Sequence, residues 1–400
     1  MQPQWHRPGV GFTALHLVQP VDGGVARVVL DLVEAQLAAG VRVAVACPGE
    51  GPLAAAAARL GAEVHGWRVT RDPGPGLVRE VGQAARVVRR VGPDLVHAHS
   101  AKAGLAGRLA VRGRVPTVFQ PHAWSFEAVE GMTGRLAGCW ERWAVRWTDR
   151  IVCVSDAERR TGERAGIRAP WAVVHNGVDV GRFAAADGPS GPADLADTTA
   201  ARAALPRLAA LPPGTPLVLC VGRLCRQKGQ DILLRAWRQI LLQLPRARLV
   251  LVGDGPDAEV LRAAAPPSVL FAGAVPDTAP WYRAADLVVL PSRWEGMAVA
   301  PLEAMASGRA VVLSDVDGAR ESLSPGHEAL CLFPPEDPPA LAAAIGALLR
   351  DAPLREAIGR QGHQHVLSTY DVRQTARAIA DVYREVASVP RPERREPIPQ

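Results

Sequence analysis

The sequence predicts an α/β protein built from two doubly wound, Rossmann-like domains. Three observations lead to this fold class. The chain has 400 residues, which is more than one ordinary hydrophobic core accommodates. Short apolar, β-branched runs alternate with longer helical patterns, and this alternation is typical of repeated βαβ units. The alternation starts twice, at Thr13 and at Pro216, and a stretch rich in Ala, Pro, Gly and Asp separates the two series.

The first series begins with a strand, a Gly23-Gly24 turn and a helix. The two glycines let the backbone approach a ligand closely at the start of the helix. Its predicted strands are residues 13–19, 41–47, 63–69, 94–99, a run from 117, and 150–155, and residues 172–179 close the domain with an Asn-Gly turn. The strands of the second series are residues 216–222, 248–255, 268–273, 285–290 and 310–314. We expect a first domain over 1–183, a linker over 184–215 and a second domain over 216–371. A helix over 372–389 then packs back towards the first domain, and 390–400 form a disordered tail.

Composition narrows the class of protein. Apolar residues make up 48% of a globular chain, and no apolar run approaches the ~18 residues of a spanning helix. The N-terminus lacks a signal-peptide pattern, so we expect a cytoplasmic protein. Six scattered cysteines are interpreted as reduced core residues. Residues 1–182 contain 23 basic and 16 acidic residues, a net charge of +7, and the remaining residues carry −1, which gives the net charge of +6. That excess fits a solvated surface, and it also fits peripheral contact with an anionic inner membrane face; no nucleic-acid partner is expected.

Two carboxylates flank a predicted helix start after the strand 285–290. Glu295 lies in the loop beside Gly296, and Glu303 is predicted in the first helical turn because Pro301 suits a first helical position. Spacing leaves Glu303 open to two interpretations, a helix cap or a ligand contact. A strand, loop and helix in this order present free N–H groups to anionic ligands at the sheet edge.

Cations follow the first strand of the second series. Arg223 and Lys228 lie five residues apart before a helix, where a guanidinium fork and an ammonium can converge on a diphosphate. Only two of the 46 Lys and Arg residues are lysines, Lys102 and Lys228, so both mark places where an ammonium is required. The P-loop spacing is absent. The run from Gly253 to Ala258 satisfies G-x-G-x-x-A, but it follows a middle strand and contains Pro256, so a nicotinamide oxidoreductase is disfavoured.

Three histidines lie at the ends of neighbouring predicted strands. Of His97, His99 and His122, we favour His122 as the functional one, because it follows its strand in a Pro-broken loop. The spacing is not a recognised metal-ligand pattern, so no metal site is expected.

The helix before residue 150 places Trp140, Trp143 and Trp147 on one face, which fits membrane-surface binding or core packing. We favour core packing, since the helix leads into a buried-looking strand.

Ordered motifs across nearly the whole chain resemble the retaining, nucleotide-sugar-dependent glycosyltransferases of the GT-B fold, in family four. In that fold two Rossmann-like domains face each other across a cleft. The motifs that carry the resemblance are Gly23-Gly24, His97-Ala-His99, Pro121-His122, residues 150–155, residues 175–179, Val221-Gly-Arg223 to Lys228-Gly229, residues 252–256, and Glu295-Gly296 to Glu303-Ala304.

The resemblance implies roles for individual residues. Arg223 and Lys228 resemble the pair that binds the donor diphosphate and neutralises the leaving group. Glu303 is similar to the carboxylate on the ribose hydroxyls, and Glu295 to the residue facing the donor sugar. His122 resembles the first-domain histidine beside the reacting centre. The remaining donor-site positions implied are Gly24, Gly255, Val275, Gly296, Met297, Ala298 and Val299. Many relatives have Phe-Gly where this chain has Met297-Ala298, a departure that affects sugar fit.

The resemblance also implies the reaction. A hexosyl unit passes from a nucleotide-diphosphate sugar, with a UDP-sugar favoured over GDP-mannose, to a hydroxyl acceptor with retention of anomeric configuration. The acceptor is a lipid-linked sugar, a glycan or a small metabolite, in cell-surface glycan, glycolipid or secondary-metabolite biosynthesis. No cofactor or metal is needed, because the diphosphate cations replace a metal. Two alternatives stay open, a GT-B sugar-nucleotide epimerase and a catalytically silent binding protein.

Overall fold

The computed structural model describes residues 11–71, 74–129, 131–183 and 198–388. These residues form two compact units. The first comprises the residues up to His175 together with those from Thr375 onward, and the second is Asn176–Gln374. Each unit has a parallel sheet flanked by helices, so the predicted two-domain α/β class is confirmed. Residues 184–197 of the predicted linker and the predicted tail 390–400 lie outside the described residues.

The sheet of the first unit has seven strands among the described residues, in the order β3-β2-β1-β4-β5-β6-β7, and all of its pairings are parallel. The strands are β1 (Thr13–Val18), β2 (Arg42–Cys47), β3 (Glu63–Gly66), β4 (Leu95–His99), β5 (Thr117–Gln120), β6 (Arg150–Cys153) and β7 (Trp171–Val173).

The sheet of the second unit has six strands among the described residues, also parallel, in the order β10-β9-β8-β11-β12-β13. The strands are β8 (Leu217–Val221), β9 (Arg248–Val252), β10 (Val269–Gly273), β11 (Leu287–Leu290), β12 (Ala310–Ser314) and β13 (Leu332–Phe333). The short β13 was not predicted, because two residues are too few for a periodic signal.

Helices follow most of the strands. They are α1 (Gly23–Ala38), α2 (Pro52–Leu60), α3 (Leu77–Val91), α4 (Ser100–Val111), α5 (Gly131–Ala144), α6 (Asp156–Arg164), α7 (Val180–Phe183), α8 (Thr199–Ala203), α9 (Pro206–Ala209), α10 (Gln230–Gln243), α11 (Ala258–Ala264), α12 (Ala279–Ala284), α13 (Val299–Ala306), α14 (Ala319–Ser322), α15 (Glu328–Cys331), α16 (Pro338–Arg350), α17 (Ala352–Thr369) and α18 (Val372–Ser388). Single 3₁₀ turns occupy Ser125–Glu127, Val145–Trp147 and Arg226–Lys228. No helix of the described ranges combines the length and apolar character needed to cross a membrane.

The central strands are buried on both faces, which explains why they are continuous apolar runs in the sequence. All six residues of β1 and all five of β8 are buried. Parallel sheets in α/β folds have this property because helices cover both faces. In each sheet the strand order reverses between two neighbours, β1 and β4 in the first unit and β8 and β11 in the second. The carboxyl ends of strands at such a switch point are where doubly wound sheets bind ligands.

The ammonium of Lys102 forms a buried ion pair with Glu80 at 2.8 Å, in the core of the first unit. Two expectations about other side chains need correction. Cys139 is exposed and Cys225 is half-buried, and the other four cysteines are buried as expected. On the tryptophan face of α5, Trp143 is 41% exposed while its ring packs against Trp147. Core packing therefore covers that face only in part.

Candidate functional site

Two loops of the second unit are held against each other at the carboxyl ends of β8 and β11. The N–H of Arg293 donates to the carbonyl of Gln227 at 2.8 Å, and the amide of Gln227 donates to the carbonyl of Trp294 at 3.1 Å. Gly229 has a φ of +66°, and a Cβ there would lie 2.0 Å from the carbonyl oxygen of Pro291. Only glycine fits such an approach, so the two loops have a fixed spacing.

An ion pair between Arg293 and Asp231 also holds these loops together. The guanidinium of Arg293 donates to both carboxylate oxygens of Asp231 at 2.8 Å and to the carbonyl of Arg226 at 2.8 Å. The hydrogen bonds from Arg293 hold the pKa of Asp231 below its usual value, so the pair stays charged. These contacts preorganise the loop backbone that carries the predicted donor-site residues.

Lys228 and Glu295 meet at the joined loops. Nζ of Lys228 lies 2.5 Å from Oε1 of Glu295, and the hydroxyl of Ser292 donates to the same oxygen at 2.7 Å. The side chain of Glu295 is only 10% exposed and that of Lys228 is 20% exposed. An ammonium and a carboxylate in this environment interact more strongly than they would in water. The two predicted residues therefore form one charged pair at the sheet edge.

Glu303 lies deeper in its helix than the sequence predicted. Helix α13 begins at Val299, so Pro301 is the third helical residue and Glu303 the fifth. Proline is tolerated at the third position because the first four N–H groups of a helix have no intrahelical partner. The helix-cap interpretation of Glu303 is wrong, since its carboxylate instead accepts a hydrogen bond from the hydroxyl of Tyr282 at 2.8 Å. Burial and the neighbouring Glu303 raise the pKa of Tyr282 well above its usual value, so the phenol keeps its proton and donates.

The backbone between Glu295 and α13 is fixed from two sides. The amide of Asn176 donates to the carbonyl of Met297 at 2.7 Å. A Cβ at Gly318, where φ is +75°, would lie 2.1 Å from the carbonyl oxygen of Gly296. Among the described residues no side chain caps the N-terminus of α13 at Ala298. The first-turn N–H groups of α13 are therefore oriented by their surroundings and carry the positive end of the helix dipole.

The two glycines of the G-x-G-x-x-A run are explained by packing. Cβ atoms at Gly253 and Gly255 would lie 2.1 Å and 2.3 Å from the carbonyl oxygens of Gly222 and Leu224. The loop after β9 therefore lies directly on the loop that carries Arg223, whose carbonyl accepts a hydrogen bond from Gln230 at 3.0 Å. Val275 follows the neighbouring strand β10 and is half-buried. Predicted donor-site residues thus follow four neighbouring strands at one edge of the sheet.

Histidines line the switch point of the first sheet. In the pairing of β1 with β4, His16 lies opposite His97 and Val18 opposite His99. Nδ1 of His16 lies 2.9 Å from Nε2 of His99, and Nδ1 of His99 lies 3.2 Å from Nε2 of His122. His16, a member of this row, was not predicted. A single His inside a strand carries no pattern that distinguishes it from a core residue.

Burial controls the charge of these four histidines. It lowers the pKa of His16 to about 4 and that of His122 to about 3, and it holds the pKa values of His97 and His99 well below the usual value. Removing an imidazolium from water is costly, so all four rings are neutral at pH 7. Ring nitrogens of His16, His97 and His99 lie within 4.8 Å of one another, so these three side chains are the described group that could approach a metal ion.

The loop that carries His122 has an unusual backbone. His122 and Ala123 have φ values of +55° and +93°, in the left-handed region that few non-glycine residues adopt. The buried carboxylate of Glu158 holds this loop, accepting from the N–H of Ala123 at 2.6 Å and from that of Val154 at 2.7 Å. The indole of Trp124 donates to the carbonyl of Glu158 at 2.7 Å. Surroundings that maintain such a conformation are typical of functional positions.

The structure brings some predicted residues together and leaves others apart. Within the second unit, Lys228 contacts Glu295, while Glu303 contacts Tyr282 one turn into α13. In the first unit, Gly24 is exposed in the first turn of α1, and His122 belongs to the histidine row. Sequence reasoning missed Tyr282, Ser292 and Asn176. Ser292 lies three residues from Glu295 and Asn176 follows a motif histidine, so both were within reach of the motif analysis, whereas Tyr282 had no local signal.

Comparison with known proteins agrees with this architecture. Residues 215–351 match the family described as Glycosyl transferases group 1, and residues 22–182 match Glycosyltransferase Family 4. The lipopolysaccharide core biosynthesis mannosyltransferase LpcC of Rhizobium leguminosarum bv. viciae is 33% identical over 252 residues, which cover 60% of this chain and 66% of LpcC. D-inositol 3-phosphate glycosyltransferase 2 of Catenulispora acidiphila is 32% identical over 318 residues, covering 72% of this chain and 70% of that protein.

Among solved structures, HepE from Anabaena in complex with UDP and glucose superimposes with a TM-score of 0.78 at 23% identity, over 94% of this chain and 100% of HepE. At that identity the likeness shows the fold alone. The sequence matches are stronger, because the two family segments together cover more than half of the chain and a relative above 30% identity is covered over more than two thirds of its length. The resemblance found in the sequence is confirmed, and the chain belongs to the GT-B glycosyltransferases of family 4.

Proposed function

We propose that this chain transfers a hexosyl unit from a nucleotide-diphosphate sugar to a hydroxyl acceptor with retention of anomeric configuration. The observation that carries the proposal is the contact of Lys228 with Glu295 on two interlocked loops at the switch point of the second sheet. A diphosphate binds where cations and helix N-terminal N–H groups converge. Lys228, Arg223 and the uncapped start of α13 supply such groups at one sheet edge.

We propose the donor contacts that the family resemblance implies. Arg223 and Lys228 bind the diphosphate, and the N–H groups of Met297, Ala298 and Val299 face phosphate and sugar. Glu303, oriented by Tyr282, accepts hydrogen bonds from the ribose hydroxyls. Glu295 hydrogen-bonds the donor sugar while Ser292 holds one of its oxygens. We assign Gly255, Gly296 and Val275 to donor binding in the second unit, and Gly24 and His122 to substrate binding in the first unit, as the resemblance implies.

In the proposed reaction the acceptor hydroxyl oxygen bonds to the anomeric carbon on the face that the leaving group departs from. The bond from that carbon to the diphosphate oxygen breaks, and the acceptor proton passes to a phosphate oxygen of the departing nucleotide. Negative charge grows on the diphosphate during this step, and Arg223 and Lys228 neutralise it. These cations serve the role that a metal ion has in other sugar-nucleotide transferases, so activity should survive chelation.

We favour a UDP-sugar as donor. Structures of HepE contain UDP with glucose or UDP-glucose, although HepE shares the fold alone. The relatives LpcC and LpsB are named as mannosyltransferases, so GDP-mannose is the competing donor. The relatives act in lipopolysaccharide core synthesis or on inositol 3-phosphate. We therefore propose a lipid-linked sugar, a glycan or a small metabolite as acceptor.

We also propose that the protein acts in the cytoplasm and touches the inner membrane face reversibly through α5. Met132 and Leu136 on this helix are 68% and 62% exposed, and Trp143 is 41% exposed. The guanidinium of Arg146 stacks on Trp143 at 4.5 Å from the ring centre. Exposed apolar side chains beside arginines suit an anionic lipid surface. A lipid-linked acceptor would be presented at such a surface.

One experiment tests the main proposal. The protein is incubated with a panel of UDP- and GDP-sugars, with and without hydroxyl acceptors, and released nucleotide is measured. We expect acceptor-dependent release from one UDP-hexose, undiminished by EDTA, and a product whose anomeric configuration by NMR matches that of the donor. Nucleotide release or a new sugar epimer without any acceptor would favour the epimerase alternative, and an inverted product would contradict the proposed displacement.

A further inference from the structure

Four side chains of the first unit form a continuous hydrogen-bonded row. The amide oxygen of Gln36 on α1 lies 2.9 Å from Nε2 of His16. The other nitrogen of His16 lies 2.9 Å from Nε2 of His99, and Nδ1 of His99 lies 3.2 Å from Nε2 of His122. Gln36 is 5% exposed, and His16 and His99 are fully buried. The row runs from the buried amide to the half-buried His122.

A row of neutral imidazoles has a direction. Each neutral ring carries one N–H donor and one lone-pair acceptor. If Nε2 of His16 donates to Gln36, then Nδ1 of His16 must accept from Nε2 of His99. Nδ1 of His99 is then an acceptor as well, and Nε2 of His122 donates to it. Burial keeps the pKa of every ring in the row below the usual value, so no ring carries the second proton that would break this sequence.

The direction is set at Gln36. Its amide oxygen faces His16 at 2.9 Å, and the Gln36 side chain also interacts with Tyr383, whose pKa it lowers against the larger upward effect of burial. An amide in the opposite orientation would offer a donor to His16 and would reverse every hydrogen bond in the row. The orientation of one buried amide therefore decides which nitrogen of His122 carries its proton, although three hydrogen bonds separate the two side chains.

We propose that Gln36, His16 and His99 are positioning residues that hold His122 as its Nε2–H tautomer. In this form Nδ1 of His122 carries a lone pair. No partner for Nδ1 occurs among the described residues, and His122 is the half-buried end of the row. The nitrogen is an acceptor for a hydroxyl group of a sugar substrate. That last step rests on the proposed glycosyltransferase function, whereas the tautomer itself does not.

Ring nitrogens of His16, His97 and His99 lie close enough together to raise the alternative of a bound metal ion. A metal ion held by all three would need lone pairs on one nitrogen of each ring. The nitrogens of His16 and His99 that face each other are joined by a hydrogen bond in the row, so one of them carries a proton. Nδ1 of His97 meets the hydroxyl of Tyr383 at 2.7 Å. A bound ion and the proposed tautomers are therefore mutually exclusive, and one experiment separates them.

The test reads the tautomers directly. Protein labelled with ¹⁵N-histidine is examined by long-range ¹H–¹⁵N NMR, in which Nδ1–H and Nε2–H rings give different cross-peak patterns. The His122 signals are assigned from their loss in His122→Gln. Three variants are compared, namely Gln36→Leu, Gln36→Glu and the matched control Gln120→Leu. Gln120 lies 1% exposed on β5, opposite His99 in the sheet, and its side chain interacts with His97, which is not one of the four side chains of the row.

We expect His122 to be Nε2–H in the wild type, in Gln36→Glu and in Gln120→Leu. In Gln36→Leu, Nε2 of His16 loses its acceptor, so the row reverses and His122 becomes Nδ1–H. Transfer, measured in the same proteins, should lose at least tenfold in kcat in Gln36→Leu, with KM for the donor little changed and with recovery in Gln36→Glu. If Gln36→Leu folds poorly, Gln36→Met takes its place, since it keeps the side-chain length without an amide.

An unchanged His122 tautomer in Gln36→Leu overturns the proposal, as does a wild-type His122 that is Nδ1–H or doubly protonated at pH 7. Stoichiometric zinc or another metal in the purified protein, together with histidine shifts that move on EDTA treatment, would overturn it too. The expected tautomers in a protein without any transfer activity would instead contradict the proposed function and leave the structural role of Gln36 standing.

Discussion

At the level of single residues, the ammonium of Lys228 has two possible anionic partners, the carboxylate of Glu295 and a bound diphosphate. Without substrate the ammonium neutralises a carboxylate that is only 10% exposed. A bound diphosphate carries more negative charge than Glu295 and competes for the same ammonium. Ser292 holds the carboxylate oxygen that Lys228 contacts, so Glu295 keeps a donor when the lysine turns to phosphate. The pair therefore suits a site that is charged both before and after the donor binds.

Replacing either member of the pair should abolish transfer while the fold persists. We expect Lys228→Ala and Glu295→Gln to lower kcat by about 100–1,000-fold, the range for removal of one group that stabilises transition-state charge. Initial rates with a saturating donor provide the measurement. Arg235→Ala is the control, because Arg235 is a 55% exposed cation of α10 in the same unit. Near-normal turnover in either pair variant would remove this site assignment.

Tyr282→Phe tests the ribose contact separately from the chemistry. The substitution removes the hydroxyl that donates to Glu303, and a hydrogen bond to a charged group contributes about 1.5–3 kcal/mol. We expect a roughly tenfold or greater rise in the dissociation constant of the nucleoside diphosphate, measured by calorimetry, with kcat changed less.

Tyr370→Phe is the matched control for that change. Its hydroxyl bonds to the backbone carbonyl of Glu321 on α14. Equal loss of nucleotide binding in both tyrosine variants would show a general effect on the second unit and would contradict the role of Glu303.

Residue-level prediction succeeded where composition supplied a signal. Lys228 stood out because lysine is so rare in this chain, and the structure pairs it with Glu295. The ammonium of Lys102, the other lysine, is buried against Glu80. The Tyr282–Glu303 contact was not predictable, since it joins two helices through a long-range contact that no local pattern encodes. The roles of the site residues stay predictions until the variants are measured.

At the level of elements, the two strands at the switch point of the first sheet, β1 and β4, place titratable side chains in the core. His16 on β1 and His97 and His99 on β4 are fully buried. A histidine whose folded-state pKa is depressed must lose its proton to stay buried. It therefore contributes stability that is complete above its unfolded pKa and is lost as the pH falls towards the folded value.

The first unit should consequently weaken between pH 6.5 and pH 4. With a folded pKa of about 4 for His16, this side chain alone should lower the free energy of unfolding by about 2 kcal/mol from pH 7.5 to pH 5. Urea unfolding at the two pH values measures the change. His16→Gln retains a hydrogen-bonding group without a titrating ring, so the difference should shrink by about that amount. An equal pH dependence in both proteins would contradict the assignment to His16.

Helix α5 provides a second test at this scale. We expect Met132→Ser combined with Leu136→Ser to weaken sedimentation with anionic vesicles at least tenfold, since burying one such side chain contributes about 1.5–3 kcal/mol. Leu242→Ser is the control, because Leu242 is 86% exposed on α10 of the second unit. Equal vesicle binding by all three proteins, or no preference for anionic over zwitterionic lipid, would contradict the membrane contact.

Helix boundaries were the weakest part of the sequence analysis. Helix α13 starts two residues before Pro301, because proline fits any of the first positions where no N–H is needed. Because of that shift of two residues, Glu303 is the fifth residue of the helix instead of the third, and it does not cap the helix. Strand positions were predicted more accurately, since buried parallel strands form unbroken apolar runs with clear ends.

At the level of the whole molecule, the chain leaves the first unit at His175 and returns to it at Thr375. Helix α18 completes the core of that unit with Ile379, Tyr383 and Val386, all at most 4% exposed. The hydroxyl of Tyr383 also meets His97. The two-domain class was readable from the sequence because the βαβ alternation starts twice. The pairing of Tyr383 with His97 could not be predicted from the sequence, because contacts between residues so far apart in the chain leave no local pattern.

A truncated chain tests this organisation. Ending the protein at residue 374 removes three large core side chains, which should cost the first unit more than about 5 kcal/mol. In hydrogen exchange we expect β1 and β4 to lose protection while β8, β9 and β11 keep it. A chain ending at Ser388 retains all of α18 and should match the full protein. Loss of protection confined to the second unit would contradict the assignment of α18 to the first.

The discontinuity of the first unit also orders its synthesis. A ribosome adding about 5–20 residues per second needs roughly 10–40 s to make the 200 or so residues between His175 and Thr375. During that interval β1 and β4 exist without the helix that covers His97, whereas the second unit receives its last strand well before α18 is made. Until α18 is made, the nascent first unit therefore lacks the Tyr383 side chain that contacts His97.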